Sequence, residues 1–339
     1  MTTYTVKQDG TGDYTSITSA VASVNRYDII EVHDNETYGE GNISRVIADL
    51  TIRAGTDASG NKYTPVMSGG GTLDCAIKFY NNWIIEDLTI TGYDGTATYG
   101  AGLISISSNR VVTIKNCTIH DLADSAIAGL KIGSTVENCI IYNIRGTASR
   151  GIDAGVEGVD ILNCLIYDVQ HDGIQSTGVN SDIQHCTVYN VGFGGGTGGY
   201  GISGGAGSVK FCVVSDPNHH LSAAGIRATT HSYNCVSGSE GSSSGNFFGG
   251  SGTGDIQTDP MLLSGTFALR PASPCIATAV GSTRAYDITG ASVSWQYSHK
   301  VNGMNTSATP NDMGAYETNY SAVKGVKTDK ITKVIGVTD

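Results

Sequence analysis

Charged and aromatic residues gather at one register of a repeating phrase in this sequence. Gly102-Leu103, Ala126-Ile127, Gly151-Ile152, Gly173-Ile174, Gly201-Ile202 and Gly225-Ile226 recur in step. If the Leu or Ile of each phrase points inward, the next residue points outward, giving Ile104, Ala128, Asp153, Gln175, Ser203 and Arg227. The residue two before it lies at the mouth of the preceding turn, giving Ala101, Ser125, Arg150, Asp172, Tyr200 and Ala224. The same turns add Asp124, Arg145, His171, Phe193, His219 and His220. On strands stacked about 4.8 Å apart these side chains would share one face. Asp153 and Asp172 could move protons there, with Arg150, His171 or Tyr200 as a base. Asp124, Asp153 and Asp172 also offer the hard oxygen ligands that Ca²⁺ takes. A single turn carboxylate such as Asp124 is ordinarily solvated surface. The clustering on adjacent coils is what marks this face.

The elements that would position them are legible in a second ladder. Cysteines head six similar phrases, from Asn116-Cys117-Thr118-Ile119 through Asn138-Cys139, Asn163-Cys164, His185-Cys186 and Phe211-Cys212 to Asn234-Cys235-Val236-Ser237, spaced 22–26 residues apart. A period in the low twenties marks a solenoid, in which each repeat buries its apolar face against its neighbours. Short alternating phrases separated by polar turns predict strands rather than helical hairpins. The fold class expected is all-β, a single-stranded parallel β-helix with an N-terminal capping helix and an irregular C-terminal segment, right-handed as the family resemblance given below implies. One coil reads as strands over Gly151-Ala154, Val159-Leu162 and Cys164-Tyr167. Asn116, Asn138, Asn163 and Asn234 are expected to stack at one corner, where amides tolerate a left-handed turn. The six cysteines are expected inward, reduced and stacked, since parallel side-chain vectors disfavour the disulfide torsion. Tyr142, Tyr167 and Tyr189 are expected to line the outside of the third strand, as a β-favourable stripe or a surface for stacking sugars.

Composition agrees with this architecture and narrows the partners. Glycine supplies 46 of 339 residues, about twice the usual ~7%, which suits a chain that turns three times per coil. The net charge of −11 argues against nucleic acid or an anionic membrane as partner. An acidic glycan would need a cation or a local basic cluster. No apolar run approaches the ~18 residues of a membrane span. The opening Met1-Thr2-Thr3-Tyr4-Thr5-Val6 lacks the pattern of a secretory signal, so the chain is expected either to stay in the cytoplasm or to leave by another route such as lysis.

Organisation is expected as a strand and capping helix over 1–28, the β-helix over 29–258, a cap over 259–318 and a tail over 319–339. Within the first, Tyr14 to Asn25 reads as an amphipathic helix with Ile17, Ala20, Val21 and Val24 on one face. The stretch from Tyr4-Thr5-Val6-Lys7-Gln8-Asp9-Gly10 to Tyr14-Thr15-Ser16-Ile17 resembles the start of pectin-lyase-like proteins and pectinesterases. Later segments, Phe267 to Cys275 and Asp312-Met313-Gly314-Ala315-Tyr316-Glu317, resemble terminal parts of bacterial and phage β-helix proteins. A phage spike would imply a trimer and a virion-associated location.

The resemblance to the pectin-lyase-like superfamily continues on the charged face. His171-Asp172-Gly173-Ile174 is similar to the D-G-I element of polygalacturonases, which implies a catalytic role for Asp172. Gly199-Tyr200-Gly201-Ile202-Ser203 is similar to their G-H-G-I-S with Tyr for His, and Gly225-Ile226-Arg227 to R-I-K. The D-D pair of those hydrolases is missing. Two mechanisms follow, both on a polysaccharide held by Asp124, Gln175, Arg227, Arg145, His219 and His220. A hydrolase would use Asp153 and Asp172 as its carboxyl pair, although a straight-line estimate separates them by roughly 11 Å, beyond the ~6.5–9.5 Å of inverting enzymes. A lyase of the pectate type, as the resemblance implies, would bind Ca²⁺ through aspartates and use Arg150, His171 or Tyr200 as base. Charge favours the lyase, because Ca²⁺ would let an acidic protein hold a uronate. A non-catalytic virion or adhesion module is the remaining alternative.

Overall fold

The computed structural model describes residues 1–46, 49–94, 102–105, 110–146, 148–155, 158–176, 178–194, 199–215, 224–238, 247, 252–262 and 275. His219, His220 and nearly all of the expected C-terminal cap and tail lie outside these residues. Each coil contributes three short parallel strands, so the solenoid has three faces. Face one includes Leu103–Ser105, Ile127–Ala128, Ile152–Asp153 and Ile174–Gln175. Face two includes Val112–Lys115, Thr135–Glu137, Asp160–Leu162 and Val179–Gln184. Face three includes Thr118–Leu122, Ile140–Ile144, Leu165–Val169, Thr187–Val191 and Val213–Ser215. Ile202–Lys210 runs without a break from face one to face two and joins them into one 16-stranded sheet, while face three forms a separate sheet of ten strands.

Every pairing between these named strands is parallel, and apart from a register shift between Val179 and Asp182 where Val179–Gln184 meets Ile202–Lys210 the strands stay in register, so one inward residue per strand builds a continuous wall. Ile127, Ile152, Ile174, Ile202 and Ile226 are fully buried behind face one. Ile114, Val136, Ile161, Ile183 and Val209 do the same behind face two, and Ile119, Ile141, Ile166, Val188 and Val214 behind face three. Each such side chain contributes roughly 1.5–3 kcal/mol, and none can do so without the coil on either side.

The N-terminal end is closed by the expected helix, trimmed to Ile17–Ser23. Ser16 caps it by accepting from the Ser19 N–H at 3.1 Å, and the Glu40 carboxylate accepts from the N–H groups of Ile17 and Thr18 at 3.0 and 2.6 Å. Ile17, Ala20, Val21 and Val24 are buried against the first coils. No described helix is long and apolar enough to cross a membrane.

The corner between faces two and three holds the left-handed residues. Asp87, Asn116, Asn138, Asn163, His185, Phe211 and Tyr233 all have φ between 53° and 61°. Asn163 donates to Asn138 Oδ1 at 2.6 Å, Asn138 to Asn116 at 3.2 Å, and Asn116 to Asp87 at 3.0 Å. Where asparagine gives out, rings stack instead: His185 on Phe211 at 5.1 Å and Phe211 on Tyr233 at 5.7 Å. Asn234 does not belong to this stack. The coil of Cys235–Ser237 is shifted by one residue, so that Val213 pairs with Cys235. Tyr233 takes the corner, and Asn234 takes the inward place below Cys212.

Five cysteines therefore form the inward ladder, not six. Cys117, Cys139, Cys164, Cys186 and Cys212 are buried free thiols, and each donates to the carbonyl two residues earlier at 3.2–3.4 Å. Burial pushes the Cys164 and Cys212 thiols well up, which keeps them protonated and inert. Asn234 can end the ladder because its polar atoms are all engaged. Its Oδ1 accepts from the Cys212 N–H at 2.9 Å, and its Nδ2 donates to the Val209 carbonyl and to Asp255, each at 3.0 Å.

Candidate functional site

The site lies at the turn that feeds face one. Gly102 donates to the Ser125 carbonyl, Ala126 to Arg150, Gly151 to Asp172, Gly173 to Tyr200 and Gly201 to Ala224. These bonds stack Ser125, Arg150, Asp172, Tyr200 and Ala224 one above another, as the repeat predicts. The outward positions likewise align: Ala128 beside Asp153, Asp153 beside Gln175, Gln175 beside Ser203, and Ser203 beside Arg227.

The glycines of this ladder serve packing, not the approach of a ligand. A Cβ on Gly173 would meet Val188 at 2.5 Å and the Gly201 carbonyl oxygen at 2.7 Å, and one on Gly201 would meet Val214 at 2.3 Å. Their missing side chains point into the solenoid, where the turn leaves no room.

Arg150 is the hub. Its Nη1 donates to Asp153 Oδ2 at 2.8 Å and its Nε to Asp172 Oδ2 at 3.2 Å. One guanidinium touches both carboxylates, so they stand closer than a straight-line count along the strands implies. The turn before face one curls Asp172 back over the strand. Asp172 is 2% exposed at its side chain. Its other oxygen accepts the N–H groups of Gly199 and Tyr200 at 3.1 and 2.8 Å. Asp153 further accepts the Gly155 N–H at 3.1 Å. Both acids are thus engaged by a cation and backbone donors, and Asp172 has no surface from which to reach a glycan.

Arg150 and Asp153 are 23% and 25% exposed at their side chains, and further groups of the mouth also reach solvent. His171 is 21% exposed at its side chain, with Nδ1 lying 3.1 Å from Asp172 Oδ2 but not aligned for a hydrogen bond. Tyr200 is half-buried, and the exposed Arg227 lies over its ring at 5.5 Å and donates to its hydroxyl at 3.4 Å. Gln175 is half-buried between Asp153 and Ser203 on face one. The fold therefore brings Arg150, Asp153, His171, Asp172, Gln175, Tyr200 and Arg227 onto four consecutive coils.

Asp124 and Arg145 turn elsewhere. Asp124 accepts from the N–H of its neighbour Ser125 at 2.6 Å. Arg145 donates to Asn143 at 2.7 Å and lies over the Phe193 ring at 4.5 Å, beside face three. Among the described residues no three His, Cys, Asp or Glu side chains gather as a metal ion would need. With Asp153 and Asp172 bound to Arg150 and Asp124 turned to its own backbone, this donor set does not fit Ca²⁺.

Sequence reasoning missed the Gly199 and Tyr200 amides as partners of Asp172. Their only signal was the Gly-Tyr-Gly run one coil on. The tyrosine stripe is also resolved. His120 stacks on Tyr142 at 4.7 Å and Tyr142 on Tyr167 at 4.9 Å, with ring planes within 6°. These rings cover one another's faces, so they present edges rather than a sugar-stacking platform.

A family profile described as a right handed beta helix region matches residues 11–202 and 75–248. Among solved structures, the chain is similar to the pectate lyase Pel9A, with a TM-score of 0.57 at 14% identity, over 94% of this chain and 97% of that one. It is also similar to a rhamnogalacturonan lyase, with a TM-score of 0.50 at 13% identity, over 70% of this chain and 74% of that one. No curated protein matches it by sequence. At these identities the likeness is one of fold.

Proposed function

The chain belongs to the right-handed β-helix family, with pectin-lyase-like architecture, and we propose that it cleaves a uronate-containing polysaccharide by β-elimination along face one. The observation that carries this reading is the state of the two carboxylates. Hydrolysis needs one protonated acid and one free base at the glycosidic bond, whereas Asp153 and Asp172 share Arg150, and Asp172 is closed off from solvent. Elimination needs a base and a positive group against the uronate carboxylate, and His171, Tyr200 and Arg227 are the groups that reach the surface outside the two Arg150 ion pairs. The full-length likeness to a pectate lyase accords with the same reading.

In this scheme Arg227 faces the substrate carboxylate and lowers the cost of charge developing on it. The Asp172 carboxylate favours a proton on the facing nitrogen of His171, which leaves the other nitrogen to accept a proton. His171 takes the proton from the carbon next to the carboxylate. The electron pair closes a carbon–carbon double bond, the neighbouring carbon–oxygen bond breaks, and the leaving oxygen takes a proton from Tyr200 or water. Asp153 and Arg150 position Asp172. No step passes through a metal ion.

A panel of pectate, rhamnogalacturonan and neutral glycans, read for reducing ends and for unsaturated-uronate absorbance, tests the proposal. Both signals should rise together on an acidic polymer and persist in chelator. Reducing ends without absorbance would indicate hydrolysis, loss of both in chelator would restore the calcium mechanism, and silence on every polymer would favour a binding module.

A further inference from the structure

Two thiols stand apart from the cysteine ladder and face each other. The register shift in the coil of Cys235–Ser237 pairs Cys235 with Val213 and turns its side chain away from the inward wall. There it joins a separate apolar cluster with Phe211, Val213 and Cys275, and both cysteines are fully buried. Cys235 and Cys275 pack in this one cluster, where the neighbouring Cys275 thiol and burial push the Cys235 thiol up, and Cys235 Sγ donates to the Thr258 carbonyl at 3.4 Å. Among the described residues no third ligand for zinc, which takes four, joins the two cysteines. Cys75 is packed elsewhere, beside Ile104.

We propose that Cys235 and Cys275 are joined as a disulfide when the chain folds in an oxidising environment, fastening residue 275 to the third face at the coil of Cys235–Ser237. The oxidant is a small-molecule disulfide such as oxidised glutathione. One cysteine thiolate attacks it and forms a mixed disulfide, releasing one glutathione thiol. The second cysteine thiolate then attacks the mixed disulfide, closing the protein bridge and releasing the other. The protein pair gives up two protons and two electrons, and the external disulfide is reduced to two thiols. Full burial makes both sulfurs slow to react once the cluster has closed, so the bridge is set during folding. The ladder thiols are spared because in-register neighbours carry parallel side-chain vectors that disfavour the bridging torsion. Cys235 meets Cys275 from a different direction, across 40 positions of sequence.

The test is oxidative refolding of the full chain in a buffer of reduced and oxidised glutathione, with a parallel sample in dithiothreitol, followed by non-reducing peptide mapping. The expected product is two hydrogens lighter than the reduced chain and yields one cross-linked peptide pair, Cys235 with Cys275. The remaining six cysteines should still accept alkylating reagent after unfolding. Cys275→Ser should abolish the cross-link without producing another. If refolding fails, native protein held for days with oxidised glutathione reports the same bond through local opening. Eight free thiols in the oxidised native protein, or bridges distributed among Cys117, Cys139, Cys164, Cys186 and Cys212, would overturn the proposal.

Discussion

The cysteine wall behind face three and the charged mouth of face one run through the same coils under opposite rules. Along the wall, Cys117, Cys139, Cys164, Cys186 and Cys212 repeat one residue in one environment. Along the mouth, Ser125, Arg150, Asp172, Tyr200 and Ala224 occupy one register with five different side chains. Stacking requires the wall to repeat, because an inward residue meets only its counterparts above and below. The mouth is held by backbone bonds and is free to vary. Chemistry in a solenoid is therefore to be sought where a register departs from its own repeat.

Substitutions on either side sharpen that contrast. The largest effect is expected at Asp172. Asp172→Ala leaves the Arg150 Nε and two backbone amides without their acceptor while Arg150 keeps Asp153, and each buried donor left unsatisfied costs about 1–3 kcal/mol. Asp172→Asn keeps the shape and should fold, yet lose at least ~10² in turnover because His171 loses the charge that orients it. Urea unfolding and initial rates on the responsive polymer measure the two. Equal activity in Asp172→Asn would remove the mouth from the mechanism.

Gly173→Ala tests the join between mouth and wall. The added methyl would meet Val188 and the Gly201 carbonyl, and overpacking of this kind costs roughly 1–3 kcal/mol. Cys164→Ala alters the wall alone and should cost about 1 kcal/mol, as for the loss of one buried methylene-sized group, with activity unchanged. A fall in turnover with no loss of stability in Cys164→Ala would contradict the separation of the two regions.

The smallest effect is expected on face two, away from both. Burial and the Asp182 carboxylate in the next coil push the Asp160 carboxyl above its usual range. A raised carboxyl favours the folded state when protonated, so its contribution is complete below the unfolded value and lost as pH rises through the folded one. Asp160→Asn should accordingly stabilise the protein at neutral pH by less than about 1 kcal/mol, the pair being solvent-screened. The advantage should vanish as pH falls toward 3.8. Melting temperatures of both proteins across that window check the sign.

Much of this was legible in the residues. The periods of the Cys and Gly-Ile phrases place the three faces, and the outward column through Asp153, Gln175 and Arg227 follows from counting one residue past each inward Ile. The same counting misplaced Asn234 and Cys235, because a one-residue slip reverses every side chain of a strand. In that coil Tyr233, not Asn234, occupies the left-handed corner. The helix came out shorter than its apolar pattern because Ser16 caps it late and Val24 is already extended.

By itself the sequence determined the solenoid, since a period in the low twenties with alternating inward residues has no other way to bury them. It also determined which residues share a register, because parallel in-register stacking makes sequence spacing into spatial proximity. Only the tertiary structure decided what those residues do to one another. Arg150 reaches Asp153 and Asp172 together through the curl of a turn, Asp172 is sealed by amides from the following coil, and Cys235 leaves its ladder to meet Cys275. Turn curvature and side-chain direction depend on contacts between coils, and no count along a single chain contains them.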